Sequence, residues 1–346
     1  GVMEIRTGVP DGDYLGVGPI YGVSGYTGRF RADRFDFVVN TAPQYGAACG
    51  SFTYVDQPFD FSNTPQLTAR ALAAGGTTVL LNYHDFGGGA ANNWWKLDLT
   101  PGTGGVSPVY TDSGTPAGIN FDDSASGYVP ISGTGSNGTV QFTLNGPFTF
   151  DDRGNAPVGP VAPFSPTIVL AFTVTDTDTA TGTQTFSPVP FASPEQRWGR
   201  LVLGNAYGSE LLPVTLALYV EYYDGTEFQP NTLDNTTHYK AGDVVLSDPD
   251  LTDTLVPGDT GVLLPVADTP MINGESDPAN QLNLNAPGKT GSLDVSLDLS
   301  TATGADQEWL WYDWDEDGSH DNDPTGRVTF GIYAGPRDFI YLREPW

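Results

Sequence analysis

Two stretches of this chain alternate apolar and polar residues with a period of two. Residues 214–223 set Val214, Leu216, Leu218 and Val220 on one face, and residues 291–299 set Leu293, Val295, Leu297 and Leu299 on one face. That period belongs to a strand buried on one side, and it is incompatible with a helix. Residues 167–175 read as a third clean strand. Shorter candidates occupy residues 52–55, 67–72, 77–83, 94–99 and 139–144, with Gly75-Gly76 and Asp224-Gly225 placed as hairpin turns. Helical periodicity is almost absent. Residues 69–74 come nearest to it, but their Thr and Gly neighbours favour a strand.

Many short strands at this spacing predict an all-β chain of two sandwich-like domains, Ig-like or jelly-roll-like, with minimal helix. The Pro-containing segment 188–194 reads as the boundary. The predicted organisation is an extended arm or edge strand over 1–28, one sandwich over 29–190 and a second over 191–346. At 346 residues, with 38% apolar and 12% aromatic side chains, the chain can bury two cores. No apolar run approaches a membrane span. Gly1, with no Met and no signal-like run before it, reads as the start of a processed product.

Net charge is −28, from 42 acidic and 14 basic residues. No basic face for nucleic acid can be assembled from so few cations. Copies of the chain repel one another unless cations screen them. Cys49 is the sole cysteine, so an internal disulfide is excluded and the compartment is left open.

The acids concentrate near the C-terminus, in EWLWYDWDEDGSHDNDPTGRVTFGIY, residues 308–333. Residues 309–312 read as an aromatic strand, 327–333 as a second strand and 339–343 as a closing one. Between the first two, Asp313, Asp315 and Asp317 sit two apart ahead of Gly318. A D-x-D-x-D-G loop curls so that its first, third and fifth positions converge on a hard cation, and Ca²⁺ takes six to eight oxygens. The expected ligands are Asp313, Asp315, Asp317, the Ser319 carbonyl, Asp321 and Asp323. Pro324 stands where an EF-hand has its bidentate Glu, and the flanks are strands, so the loop is not an EF-hand.

Several stretches resemble the C-terminal domain of MshQ-like proteins, which are encoded with the mannose-sensitive haemagglutinin pilus, a type IV pilus. They are residues 49–59 (CGSFTYVDQPF), Leu67-Thr-Ala-Arg70 with Gly75-Gly-Thr-Thr78 and Asn82-Tyr83, Gly199-Arg-Leu201 through residues 205–212 (NAYGSELL), and residues 309–344. The resemblance implies a bacterial envelope or extracellular protein tied to pilus biogenesis or a pilus tip, without a defined enzyme activity. It also implies a cysteine partner for Cys49 near Asn235-Thr236-Thr237, where this chain has none.

Catalytic signals are sparse. His84, His238 and His320 lack a second His or Cys at metal-ligand spacing. Gly208-Ser209-Glu210 lacks the closing Gly of a nucleophile elbow. Carboxylate pairs of the glycosidase kind occur, as they must in so acidic a chain. Trp309 and Trp311 read as core, whereas the adjacent Trp94 and Trp95 point to opposite faces and leave an indole for ligand stacking. The expected function is therefore a non-catalytic surface protein, a pilus-associated adhesin or a subunit of an extracellular, filament-like assembly. Its partners would be other subunits, its own copies or a glycan. The alternative is a Ca²⁺-dependent carbohydrate-binding module, and a glycoside-active enzyme comes third.

Overall fold

Two facing sheets enclose the first core. One has four antiparallel strands in the order Arg34–Thr41, Gln66–Leu72, Thr139–Asn145, Gly127–Pro130. The other has Thr167–Thr175 at its centre, flanked by Val106–Ser113 and Thr181–Val189. Along the central strand Ile168, Leu170, Phe172 and Val174 are fully buried, while Val169, Ala171 and Thr173 between them are half-buried on the other face. The sheets meet through rings: Phe172 lies 5.4 Å from Phe142 and 5.7 Å from Phe37, centroid to centroid. Edge-on and tilted contacts of this kind add to plain area burial. The computed structural model describes residues 3–10, 12–13, 15–27, 31–81, 83, 105–131, 138–151, 159–176, 178–191, 195–248, 254–300 and 306–331.

The second core lies under three small sheets. Thr325–Phe330 pairs antiparallel with Gly291–Leu297 and parallel with Ala206–Gly208, and Val244–Ser247 completes that sheet. Leu282–Leu284 pairs with Val214–Leu216 and Val262–Leu264. Gly199–Leu203, Leu218–Tyr223 and Phe228–Pro230 form the third. The chain is thus all-β. Among the described residues there is no α-helix, only 3₁₀ turns at Ala241–Asp243, Pro257–Asp259 and Glu308–Leu310. None is long and apolar enough to cross a membrane.

Three expected strands differ in detail: of the described residues in 77–83, only Val79 makes a β-bridge, to Leu72. Residues 214–223 bury the expected face, but they form two strands broken at Ala217, whose carbonyl accepts the Gly204 N–H at 2.8 Å. The stretch 309–312 is not a strand. Glu308–Leu310 is a 3₁₀ turn, because Gln307 is clamped from outside its own segment: its Oε1 accepts the His238 N–H and its Nε2 donates to the His238 carbonyl, both at 2.8 Å. Leu310 is fully buried and Trp309 and Trp311 are half-buried, so tertiary contacts override the β-propensity of the indoles. The strand placed at 94–99, its Trp94 and Trp95, and the closing strand at 339–343 lie outside the described residues.

The two cores are sewn together where the chain passes between them. Thr53–Tyr54 pairs in parallel with Gln196–Arg197. Cys49, Phe52 and Tyr54 belong to the second core although they precede most of the first, and Trp198 belongs to the first although it opens the second half. Gly199 is required at this crossing, since a Cβ there would stand 2.4 Å from Tyr54 Cε1 and 3.0 Å from Leu310 Cδ2. Gly199→Ala is accordingly expected to cost about 1–3 kcal/mol by overpacking, read as a lower urea midpoint at unchanged m. An unchanged midpoint would show that the crossing is loosely packed.

Candidate functional site

The acidic loop is closed at its base by a two-residue antiparallel bridge. Tyr312 and Asn322 exchange both backbone hydrogen bonds at 3.2 Å, and Asn322 Oδ1 accepts the Trp314 N–H at 3.1 Å. Inside the loop the aspartates cap their own backbone. Asp313 Oδ2 accepts from Gly318 N at 3.1 Å, and Asp317 Oδ1 accepts from Ser319 N at 2.7 Å. Glu316 and Gly318 sit at φ +60° and +90°, the reversal that folds the carboxylates inward. One oxygen each of Asp313, Asp315 and Asp317 lies within 4.8 Å of the others. Oxygens around one Ca²⁺ at about 2.3–2.6 Å span that distance. Asp313 Oδ1 is buried without a hydrogen-bond partner, which suits a cation ligand. Asp321 and Asp323 stand outside this trio. Asp323 Oδ1 is occupied at the loop base, accepting from Leu299 N at 3.0 Å and Trp311 Nε1 at 2.8 Å.

The loop rests on residues distant in sequence. Arg200 donates twice to Glu221 Oε2, at 2.9 and 2.7 Å, with both side chains largely buried. Its guanidinium lies 3.7 Å over Phe228, 4.7 Å over Tyr312 and 5.1 Å over Trp314. A planar, weakly hydrated cation suits such a box better than an ammonium would. On the far side His320 meets Trp198 edge-on at 5.2 Å and Tyr312 at 5.5 Å. Since Trp198 is a first-core residue, the loop spans the seam between the cores.

Comparison with protein families divides the chain at the same seam. Residues 1–194 match the third domain of DUF6701 and residues 197–345 match its fourth domain. The chain belongs to the DUF6701 family. No curated protein matches it.

In this pair of DUF6701 domains, the seam is held by a buried polar network that sequence reading missed. Asp234, fully buried in the fourth domain, accepts from Tyr54 OH at 2.8 Å, Thr237 Oγ1 at 2.6 Å, Thr236 N at 2.8 Å and Thr237 N at 2.9 Å. Asn231 Nδ2 donates to the Tyr54 hydroxyl, and Asn231 Oδ1 accepts from Arg197. Arg197 also pairs with Glu195 and lies over the rings of Phe52 and Tyr222. Burial, then the Asp234 charge, pushes the Tyr54 phenol well above its usual range, so it stays a donor. An Asp with threonines two and three residues on was the available signal, as an Asx turn, but nothing local names Tyr54 as its partner.

Cys49 lies beside this network. Thr236 Oγ1 donates to its sulfur at 2.7 Å, and the thiol donates to Gln57 Oε1 at 3.3 Å. Burial pushes the thiol up to about 11, so it is inert near neutral pH. Thr236 belongs to the stretch Asn235-Thr236-Thr237, near which the resemblance to MshQ-like proteins implies a cysteine. Thr236→Cys is expected to close a disulfide with Cys49 on oxidation, across 187 residues, and to stabilise the fold by up to about 5 kcal/mol. Non-reducing peptide mapping and the shift in Tm check both parts. Alkylation of both thiols after oxidation would show that the side chains do not meet.

Proposed function

We propose that the chain is a non-catalytic extracellular or cell-surface protein, a pilus-associated adhesin or subunit of a larger surface assembly, as its resemblance to MshQ-like proteins implies. The observation that carries this reading is the N-terminal hairpin. Met3–Gly8 and Tyr21–Thr27 form a two-stranded sheet of their own, and among the described elements their extensive contacts are with each other. Ile5, Leu15, Val17, Ile20, Tyr21, Val23 and Tyr26 are exposed, Leu15 and Tyr26 by 89% and 85%. An isolated two-stranded hairpin is marginal in water, and its open edges accept a further strand. Apolar surface of this kind supports docking onto another subunit. A net charge of −28 favours a less acidic partner over a second copy at low salt.

Immunogold microscopy of producing cells is expected to find the protein on surface appendages. Val23→Asp with Tyr26→Asp should release it into the medium at unchanged Tm, because among the described residues neither core includes a residue of the hairpin. A cytoplasmic location, or full retention of the variant, overturns the reading.

The same proposal assigns Ca²⁺ to Asp313, Asp315 and Asp317, as a clamp on the loop across the seam. Three carboxylates this close repel one another without a cation. For an extracellular module, Kd values of roughly 10⁻⁴ to 10⁻³ M suffice. Free ion a hundredfold above Kd stabilises the fold by about 2.7 kcal/mol. Tm should rise with millimolar Ca²⁺, fall with a chelator, and lose both responses in Asp315→Ala with Asp317→Ala. Equal Tm with and without chelator removes the metal from this account.

A further inference from the structure

A cavity of about 270 Å³ opens where the two domains meet. Asp56 and Pro58 line it from the third domain, and Asp306, Glu308, Trp309 and Trp311 from the fourth. Neither the acidic trio nor the hairpin contributes to it. We infer that this cavity is a binding site for one uncharged pyranose ring of a glycan.

The lining has the two chemistries that a sugar needs. Trp309 and Trp311 supply half-buried indole surface, against which the C–H face of a pyranose can stack. Carboxylates accept hydroxyl hydrogen bonds, and such charge-assisted bonds are stronger than neutral ones. The scaffold is preset. Leu310, between the two indoles, is fully buried, and the Trp311 indole is tied to Asp323 at 2.8 Å. Asp56 and Asp306, one on each side of the seam, are held at φ +66° and +43°, where non-glycine residues are uncommon. Backbone in this region is found preferentially at ligand clamps.

The volume is below the roughly 300–1,000 Å³ of pockets for drug-sized ligands, and it suits a single ring. Like charge on three carboxylates excludes uronic and sialic acids. An organic cation is the competing ligand. The comparison with lysine amide distinguishes it from a neutral sugar.

The site is tested by calorimetric titration of the full chain with methyl glucoside, methyl galactoside and N-acetylglucosamine, with glucuronate and lysine amide as comparisons. At least one neutral sugar is expected to bind with millimolar Kd, and glucuronate not at all. Trp309→Ala should weaken binding tenfold or more. Asp306 is exposed, and Asn tolerates its backbone angle, so Asp306→Asn should weaken binding several-fold at unchanged Tm. The hairpin variant Val23→Asp with Tyr26→Asp should bind sugar like the wild type, which separates this site from the assembly reading. No neutral sugar bound at tens of millimolar, binding undiminished in both pocket variants, or preference for lysine amide would each overturn the inference.

Discussion

A buried carboxylate without donors is among the costliest groups a protein can carry, and Asp234 is tolerated because four donors converge on it. One of those donors, the Tyr54 hydroxyl, comes from the other domain. The Tyr54 ring fills the space beside Gly199, and its backbone pairs with the strand that leads into Trp198. Packing, hydrogen bonding and strand pairing therefore meet at one residue. Each core includes residues from the other domain's side of the boundary, so the boundary seen by the family match divides the sequence but not the packing.

The rest of the seam repeats this arrangement with a cation. Arg200 is neutralised by Glu221 and roofed by Phe228, Tyr312 and Trp314, so a charge holds the entrance of an acidic loop onto an apolar sheet. The loop, the cavity and the Asp234 network each draw on residues from both domains.

Legibility in the sequence followed the range of the interactions. The faces of 291–297 and 214–220 were readable because alternate burial is a property of a few consecutive residues. The trio Asp313, Asp315 and Asp317 was readable for the same reason, since Asx-type bonds two to five residues long shape it. For Asp323, also an expected ligand, Oδ1 accepts from Leu299 N and Trp311 Nε1, partners no local pattern names. The stretch 309–312 looked like a strand by composition, yet a clamp on Gln307 from 69 residues away coils it.

By itself, then, the sequence determined an all-β chain, the inward faces of its main strands and the curl of its acidic loop, because backbone sterics and short-range side-chain bonds act within one segment. Tertiary structure alone decided that Tyr54 crosses into the second core, that Trp198 turns back into the first, and that Arg200 and Asp234 become the fasteners of the seam. Tyr54 lies 180 residues from Asp234, and Glu221 lies 21 residues from Arg200. No local pattern selects among such partners. The selection is made when the whole chain must bury its apolar faces and still give every buried charge a donor or a counter-charge.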